Sequence, residues 1–392
     1  GGVVFRWVFV WPAQVCILMA SFAAVAGNKE TTAPMINWGI IGCGAVCEVK
    51  SGPAFYKASN SRLLAVMRRS PGLAEDFAKR HSVPKWYDNA EDLLNDEEID
   101  AVYVATPPGS HLEYALKVCA AGKACYVEKP MARCAEECRE MVEAFEAAKL
   151  PLFVGYYRRY LPKMLAIKAF LDSGILGKIS DITLRLTQDR AAQEARGGLG
   201  WRVDPEAAGG GLFVDLAAHQ LDLLRALLGP LQGAQGMATR RGDGGGVEDN
   251  VRMLFRTQDG ALGTGTWDFV TSHSVDSVII EGSEGQLEFA VFINDTPALF
   301  RPRVGVNCLG PPTEAAPSDP TQHVHQPLVE EMVKDLLAWK TGAASGSGEL
   351  WSPQFCSSTG VEAMATTEVM DAVLEDYYSG RQTGFWKSTK GS

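Results

Sequence analysis

Histidine is scarce in this sequence, cysteine is never spaced as a metal or redox pair, and basic residues are outnumbered by acidic ones. The six histidines are dispersed apart from His323 and His325, and no cysteine or acid stands close enough in sequence to complete a metal site with those two. That pair reads as a loop leading into the helix after Pro327, and no metal is expected. Nine cysteines without a CxxC pair argue against a disulfide framework and fit reduced thiols in the cytoplasm. With 37 basic against 47 acidic residues, a net charge of -10 repels nucleic acid and anionic lipid, leaving a small molecule as the expected partner.

What is there begins with an anomaly. Residues 1–34 form an apolar leader or non-native extension: Val3 to Ala26 carry one charge, Arg6, and end in Ala24-Val25-Ala26, which resembles a secretory cleavage site. Pro12 breaks the run, so a membrane span is not expected. The remaining chain is too long for one ordinary core, and 46% hydrophobic content supports two domains, with boundaries read as 35–156 and 157–392.

From Asn37 onward, short apolar runs alternate with amphipathic stretches. Strands are expected at residues 38–42, 63–68, 101–105, 124–127 and 152–155, and helices at 46–57, 73–81, 110–121 and 135–148. That rhythm predicts an α/β fold with a parallel sheet covered on both faces, the layout of a Rossmann dinucleotide-binding domain. After Tyr156 the period becomes two, at 180–188, 233–241, 251–256, 263–269, 277–281 and 286–290, with Gly-containing turns at 258–260 and 283–285. This predicts a C-terminal α+β domain with a large, mostly antiparallel, open-faced sheet, covered on one face by helices at 162–172, 211–228, 327–340 and 359–378.

The first strand runs into Gly42-Cys43-Gly44-Ala45-Val46. Gly42 permits a tight turn, Gly44 lets backbone approach a pyrophosphate, and the helix opening at Ala45 and Val46 offers its positive end to the phosphates. A bare Gly-x-Gly fits a plain turn as well; its place between strand and helix is what points to a dinucleotide. The second strand ends in Arg68-Arg69-Ser70, 24 residues past Gly44, where an NAD site usually offers a carboxylate. Two guanidiniums and a hydroxyl suit a 2'-phosphate, so NADP is favoured over NAD.

Two further segments close later strands: Thr106-Pro107 with His111 downstream, and Glu128-Lys129-Pro130. A lysine at a strand tip can hydrogen-bond a substrate hydroxyl. Gly209-Gly210-Gly211 opens a helix on which Asp215, His219 and Asp222 share a face, so that Asp215 can orient the His219 ring as a proton acceptor.

This ordered set of motifs, from Ile36 to Tyr378, resembles the glucose-fructose oxidoreductase and inositol dehydrogenase family, Gfo/Idh/MocA. The resemblance implies that Lys129 is the active-site lysine and that Asp215 and His219 are the catalytic pair. It also implies that Gly42, Gly44, Thr106, Pro107, His111 and Glu128 contact the cofactor. Trp201-Arg202-x-Asp204 resembles a substrate-pocket segment, and Tyr157 and Arg159 are assigned to substrate contacts, although many relatives carry Asn where Tyr157 stands. The implied activity is NAD(P)-dependent hydride transfer at a secondary alcohol or ketone of a sugar- or polyol-like substrate or cyclic diol. Alternatives are a nicotinamide-dependent glycosidase using transient oxidation and a non-catalytic cofactor-binding sensor. Relatives pair through the open sheet face, which implies a homo-oligomer, a dimer or tetramer.

Overall fold

The computed structural model describes residues 34–189, 199–242, 246–303, 323–345 and 352–387. The apolar leader up to residue 33 and the Pro-rich stretch at 309–320 lie outside them. No helix among the described residues is long and apolar enough to cross a membrane.

Strands β1 (Ile36–Ile41), β2 (Ser61–Met67), β3 (Lys85–Tyr87), β4 (Ala101–Val104), β5 (Ala124–Val127) and β6 (Leu152–Val154) form one parallel sheet in the order β3-β2-β1-β4-β5-β6. Every residue of β4 and β5 is buried, as a strand covered on both faces must be. The order reverses between β1 and β4, so the crevice at their C-terminal ends is the natural ligand site. The unexpected sixth strand, β3, is an edge strand of three partly exposed residues, too short and too wet to leave a periodic signal.

The expected helix at 46–57 is divided into a π turn, Cys47–Ser51, and one helical turn, Ala54–Lys57. Gly52 and Pro53 explain the break. A Cβ on Gly52 would lie 2.3 Å from the Cys47 carbonyl oxygen, and Pro53 has no amide to continue the ladder.

The second sheet contains β7 (Ile179–Asp189), β8 (Leu231–Thr239), β9 (Asn250–Thr257), β10 (Leu262–Thr271), β11 (Val275–Gly282), β12 (Gly285–Phe289) and β13 (Leu299–Pro302), ordered β13-β12-β11-β7-β10-β9-β8. All its pairings are antiparallel except β7 with β10. The strand missed from sequence, β13, is again a short edge with mostly exposed residues. Helix Gly360–Tyr378 packs on β8, where a Cβ on Gly236 would come within 2.6 Å of Val373. Helix Ala218–Leu228 approaches the same sheet through Gln220, whose Oε1 accepts from Trp267 Nε1 at 2.7 Å. The opposite face presents Met237, Leu254 and Leu262, each more than half exposed.

Candidate active site

At the C-terminal ends of β1, β2, β4 and β5 the chain leaves a cleft of about 630 Å³, within the range of small-molecule sites. Its floor is the glycine turn. Gly42 has φ +90°, and a Cβ there would meet Thr106 Cγ2 at 2.8 Å, so the turn requires glycine. A Cβ on Gly44 would meet nothing nearer than the Gly42 carbonyl at 3.7 Å, leaving open space beside the backbone. In the helix that starts at Ala45 the amides of Ala45 and Val46 have no intrahelical acceptor, and Ala45, Val46, Thr106 and Pro107 also line the cleft. Arg68, Arg69 and Ser70 close the same end. An open backbone cradle, free amides and a cationic strand end fit the phosphates and ribose of a dinucleotide.

Lys129 and Asp215 face each other at the other end. Lys129 Nζ donates to Asp215 Oδ1 at 2.6 Å and to the Asp215 carbonyl at 2.9 Å, while Arg202 Nε donates to Oδ2 at 3.1 Å. Burial works to raise the Asp215 pKa, but the charges and hydrogen bonds of Lys129 and Arg202 hold it below the usual carboxylate value. Arg202 in turn stacks its guanidinium over Trp201 at 4.5 Å.

Glu128 is buried behind this pair. Its Oε1 accepts from Tyr103 Oη at 2.6 Å and its Oε2 from the Lys129 amide at 2.9 Å. Burial raises its pKa, an effect Lys129 partly offsets.

His219 also lines the cleft, with the Tyr157 ring centred 5.3 Å away and Phe292 at 6.0 Å. Asp215 does not orient it, contrary to the expectation from their spacing. Asp215 is committed to Lys129 and Arg202, and His219 Nδ1 is buried without a hydrogen-bond partner. A physical reason lies in the backbone: Phe213–Ala217 is a π turn, and the α-helix starts only at Ala218. The wider turn disrupts the four-residue stacking that a regular helix would impose. Burial, reinforced by the charges of Lys129, Arg158 and Lys50, pushes the His219 pKa well below its ordinary value.

Three more expectations end up elsewhere. His111 is fully buried behind the cleft wall; its Nε2 lies 2.7 Å from the Thr106 carbonyl oxygen and its Nδ1 3.1 Å from that of Pro130, so it braces two cleft loops instead of facing the cofactor space. Arg159 points away from the cleft into a buried ion pair with Asp222, donating at 2.7 and 2.5 Å, and Asp222 is thereby engaged as well. His325 does stand in the turn that leads into helix Gln326–Ser345, as expected, but it is buried there: Tyr126 Oη lies 2.8 Å from its Nδ1, and Tyr157 stacks on it at 4.4 Å. Burial lowers its pKa to about 3.

Sequence reasoning missed Lys50, Arg158, Leu216 and Phe292, which line the cleft beside the expected residues. Lys50 lies in the π turn that follows the glycine motif, a position whose direction no helical wheel would give. Phe292 follows β12 in an irregular stretch and carries no sequence signal.

Comparison with known proteins bears on the family and the fold. Residues 36–156 match the family model described as oxidoreductase family, NAD-binding Rossmann fold, and residues 164–288 match the GFO/IDH/MocA C-terminal domain. The chain is 39% identical to "Oxidoreductase P35" of Formosa agariphila over 79% of this chain and 94% of that protein. It is 29% identical to the trans-1,2-dihydrobenzene-1,2-diol dehydrogenase of Sus scrofa over 64% of this chain and 73% of that one. A solved levoglucosan dehydrogenase in complex with NADH and levoglucosan shares the fold, with a TM-score of 0.70 at 21% identity, covering 88% of this chain and 97% of that structure.

The depressed His219 pKa has a measurable consequence. A base whose pKa lies well below 6.5 is unprotonated at every pH above that, so its imidazole signals stay constant between pH 6 and 8. NMR of the ring nitrogens, with the signals assigned by their loss in His219→Asn, checks this; a midpoint near 6.5 contradicts it.

Proposed function

Because the chain belongs to the GFO/IDH/MocA oxidoreductase family, we propose that it transfers hydride between a nicotinamide dinucleotide and a secondary alcohol or ketone carbon of a sugar- or polyol-like substrate, cyclic diols included. The observation that carries this reading is the convergence of Lys129, Asp215 and His219 in the cleft whose other end is the glycine turn. The names of the relatives, which include levoglucosan and dihydrodiol dehydrogenases, support the substrate class.

The bound nicotinamide supplies the hydride acceptor or donor. The remaining work falls to side chains. His219, held neutral by burial and neighbouring charge, takes the hydroxyl proton of an alcohol at its ring nitrogen. Lys129 hydrogen-bonds the same oxygen as negative charge develops there. Asp215 is a positioning residue in this scheme: it fixes the Lys129 ammonium and does not touch His219. The aromatic walls, Tyr157, Phe292 and Trp201, exclude water from the reacting carbon.

The cofactor we favour is NADP. Arg68 and Arg69 enter the cleft from the strand end, and among the described residues neither has an ion-pair partner, which leaves both guanidiniums available to a 2'-phosphate. The apolar residues on the open face of the second sheet support a homo-oligomer assembled through that face, and the seven described cysteines, all free thiols, suit a reducing cytoplasm.

Lys129→Met and His219→Ala should each lower kcat by roughly 10²–10⁴ on whichever sugar, polyol or cyclic diol the wild type oxidises, read as nicotinamide absorbance; near wild-type turnover in either variant removes its assigned role. Arg68→Asp should weaken NADP binding by at least about tenfold and leave NAD binding the same or tighter, because a carboxylate repels the 2'-phosphate. Unaltered NADP affinity in that variant would refute the preference. Sedimentation should give a mass at least twice the 42.3 kDa of the chain, falling toward it in Leu254→Glu; a monomeric wild type argues against the sheet-face assembly.

A further inference from the structure

Arg158 and Arg159 are neighbours in one short 3-10 turn after β6, Tyr157–Tyr160, and both are buried. Their surroundings differ sharply. Arg159 is compensated: Asp222 takes two of its donors and balances its charge, and the Ser357 carbonyl takes a third. Arg158 Nη1 donates to the Val291 carbonyl at 2.6 Å, but its Nε is buried without any hydrogen-bond partner. Among the described residues no carboxylate lies within ion-pair distance of it, although it is only 8% exposed.

A guanidinium does not shed its proton, so burial cannot neutralise it as it would a lysine or histidine. Its nearest opposing charge, Asp276, lies beyond ion-pair distance and is itself engaged by the amides of Val291, Phe292 and Ile293, so the buried guanidinium is only partly compensated and an anion from outside the chain would complete it. The position and orientation of Arg158 say where that anion binds. Its guanidinium stands 4.5 Å from the Phe292 ring centre and 5.2 Å from that of Tyr157, two cleft-lining aromatic rings that hold the plane in place. Arg158 itself lines the cleft. With Nη1 occupied and Nε closed off from the surface, Nη2 is the donor left to hydrogen-bond one oxygen of a carboxylate, whose charge would offset that of the guanidinium.

The rest of the cleft gives an anion no competitor. Asp215 is already bonded to Lys129 and Arg202, and Glu128 faces Tyr103 and the backbone. Lys50 adds a further positive charge to the wall.

We propose that the substrate carries a carboxylate which Arg158 holds through Nη2, making it a sugar acid of the uronate or aldonate class and not a neutral sugar. This rests on the dehydrogenase reading and deepens it: the carboxylate is a handle, chemically unchanged, that sets a secondary hydroxyl of the same molecule between His219 and Lys129.

The test uses the cofactor-loaded enzyme and calorimetric titration with D-glucuronate and D-galacturonate, each against its neutral counterpart, D-glucose and D-galactose. Each acid should bind at least about tenfold tighter than its neutral partner, the usual scale for one charge-assisted pair. Arg158→Met should erase that ratio and Arg158→Lys should keep part of it, with cofactor affinity on the same preparations showing that the variants are folded. Equal affinities in the wild type, or a ratio that survives in Arg158→Met, overturn the proposal. Failure of the dehydrogenase reading looks different: the acid preference stands, but no sugar acid or neutral sugar changes the nicotinamide absorbance.

Discussion

The site depends on one ion pair that joins two distant parts of the chain. Lys129 stands at the tip of β5 and Asp215 in the π turn ahead of helix Ala218–Leu228, 86 residues later, and their contact at 2.6 Å draws the edge of the parallel sheet against the helix that underlies the second sheet. Neither side chain is exposed enough for the pair to resemble a surface salt bridge, which is worth little, or buried enough to lose contact with a ligand. The pair therefore does two things at once. It fixes the direction of an ammonium that would otherwise sample many rotamers, and it keeps a buried carboxylate charged.

Behind that pair, polar groups are buried in complementary sets that hold the backbone of the cleft. Glu128 is held by Tyr103 and the Lys129 amide; His325 is held by Tyr126 and stacked under Tyr157; Arg159 is matched to Asp222. Removing one member of such a set leaves a buried donor or charge unsatisfied, which costs about 3–5 kcal/mol where a full charge is orphaned. This is why residues that motif reading assigns to ligand contact can turn out to be scaffolding. His111 braces two loop carbonyls from behind, and Arg159 anchors the turn whose other arginine enters the cleft.

Much of this was legible from residues alone, for reasons that differ element by element. The interior strands of both sheets are long or apolar enough to show their period, and the glycine turn is visible because Gly42 must take a positive φ that other residues avoid. The edge strands β3 and β13 left no such mark, being short and half wet. Asp215 and His219 both line the cleft, but the contact between them that their spacing predicts does not form, because spacing assumes a regular helix and the chain makes a π turn there. The choice between Arg158 and Arg159 was similarly invisible: in a 3-10 turn adjacent side chains diverge, and only the position of Asp222, supplied by a helix more than sixty residues on, decides which one turns inward to a partner.

The unpaired charge of Arg158 also bears on His219, the proposed base. Burial comes first among the effects that depress the His219 pKa, but the charges of Lys129 and Arg158 add to it. If a substrate carboxylate settles on Arg158, it cancels part of that positive field, and the imidazole becomes a stronger base only once the substrate is in place. The same occupancy lowers the cost of the imidazolium formed when His219 takes the hydroxyl proton, since a cation is being created beside charges that are now balanced. A neutral sugar in the same cleft would leave the guanidinium offset only in part, by Asp276, and the histidine at its most acidic. On the proposed reading, the group that selects the substrate and the group that titrates during its oxidation are therefore coupled through the field of one arginine.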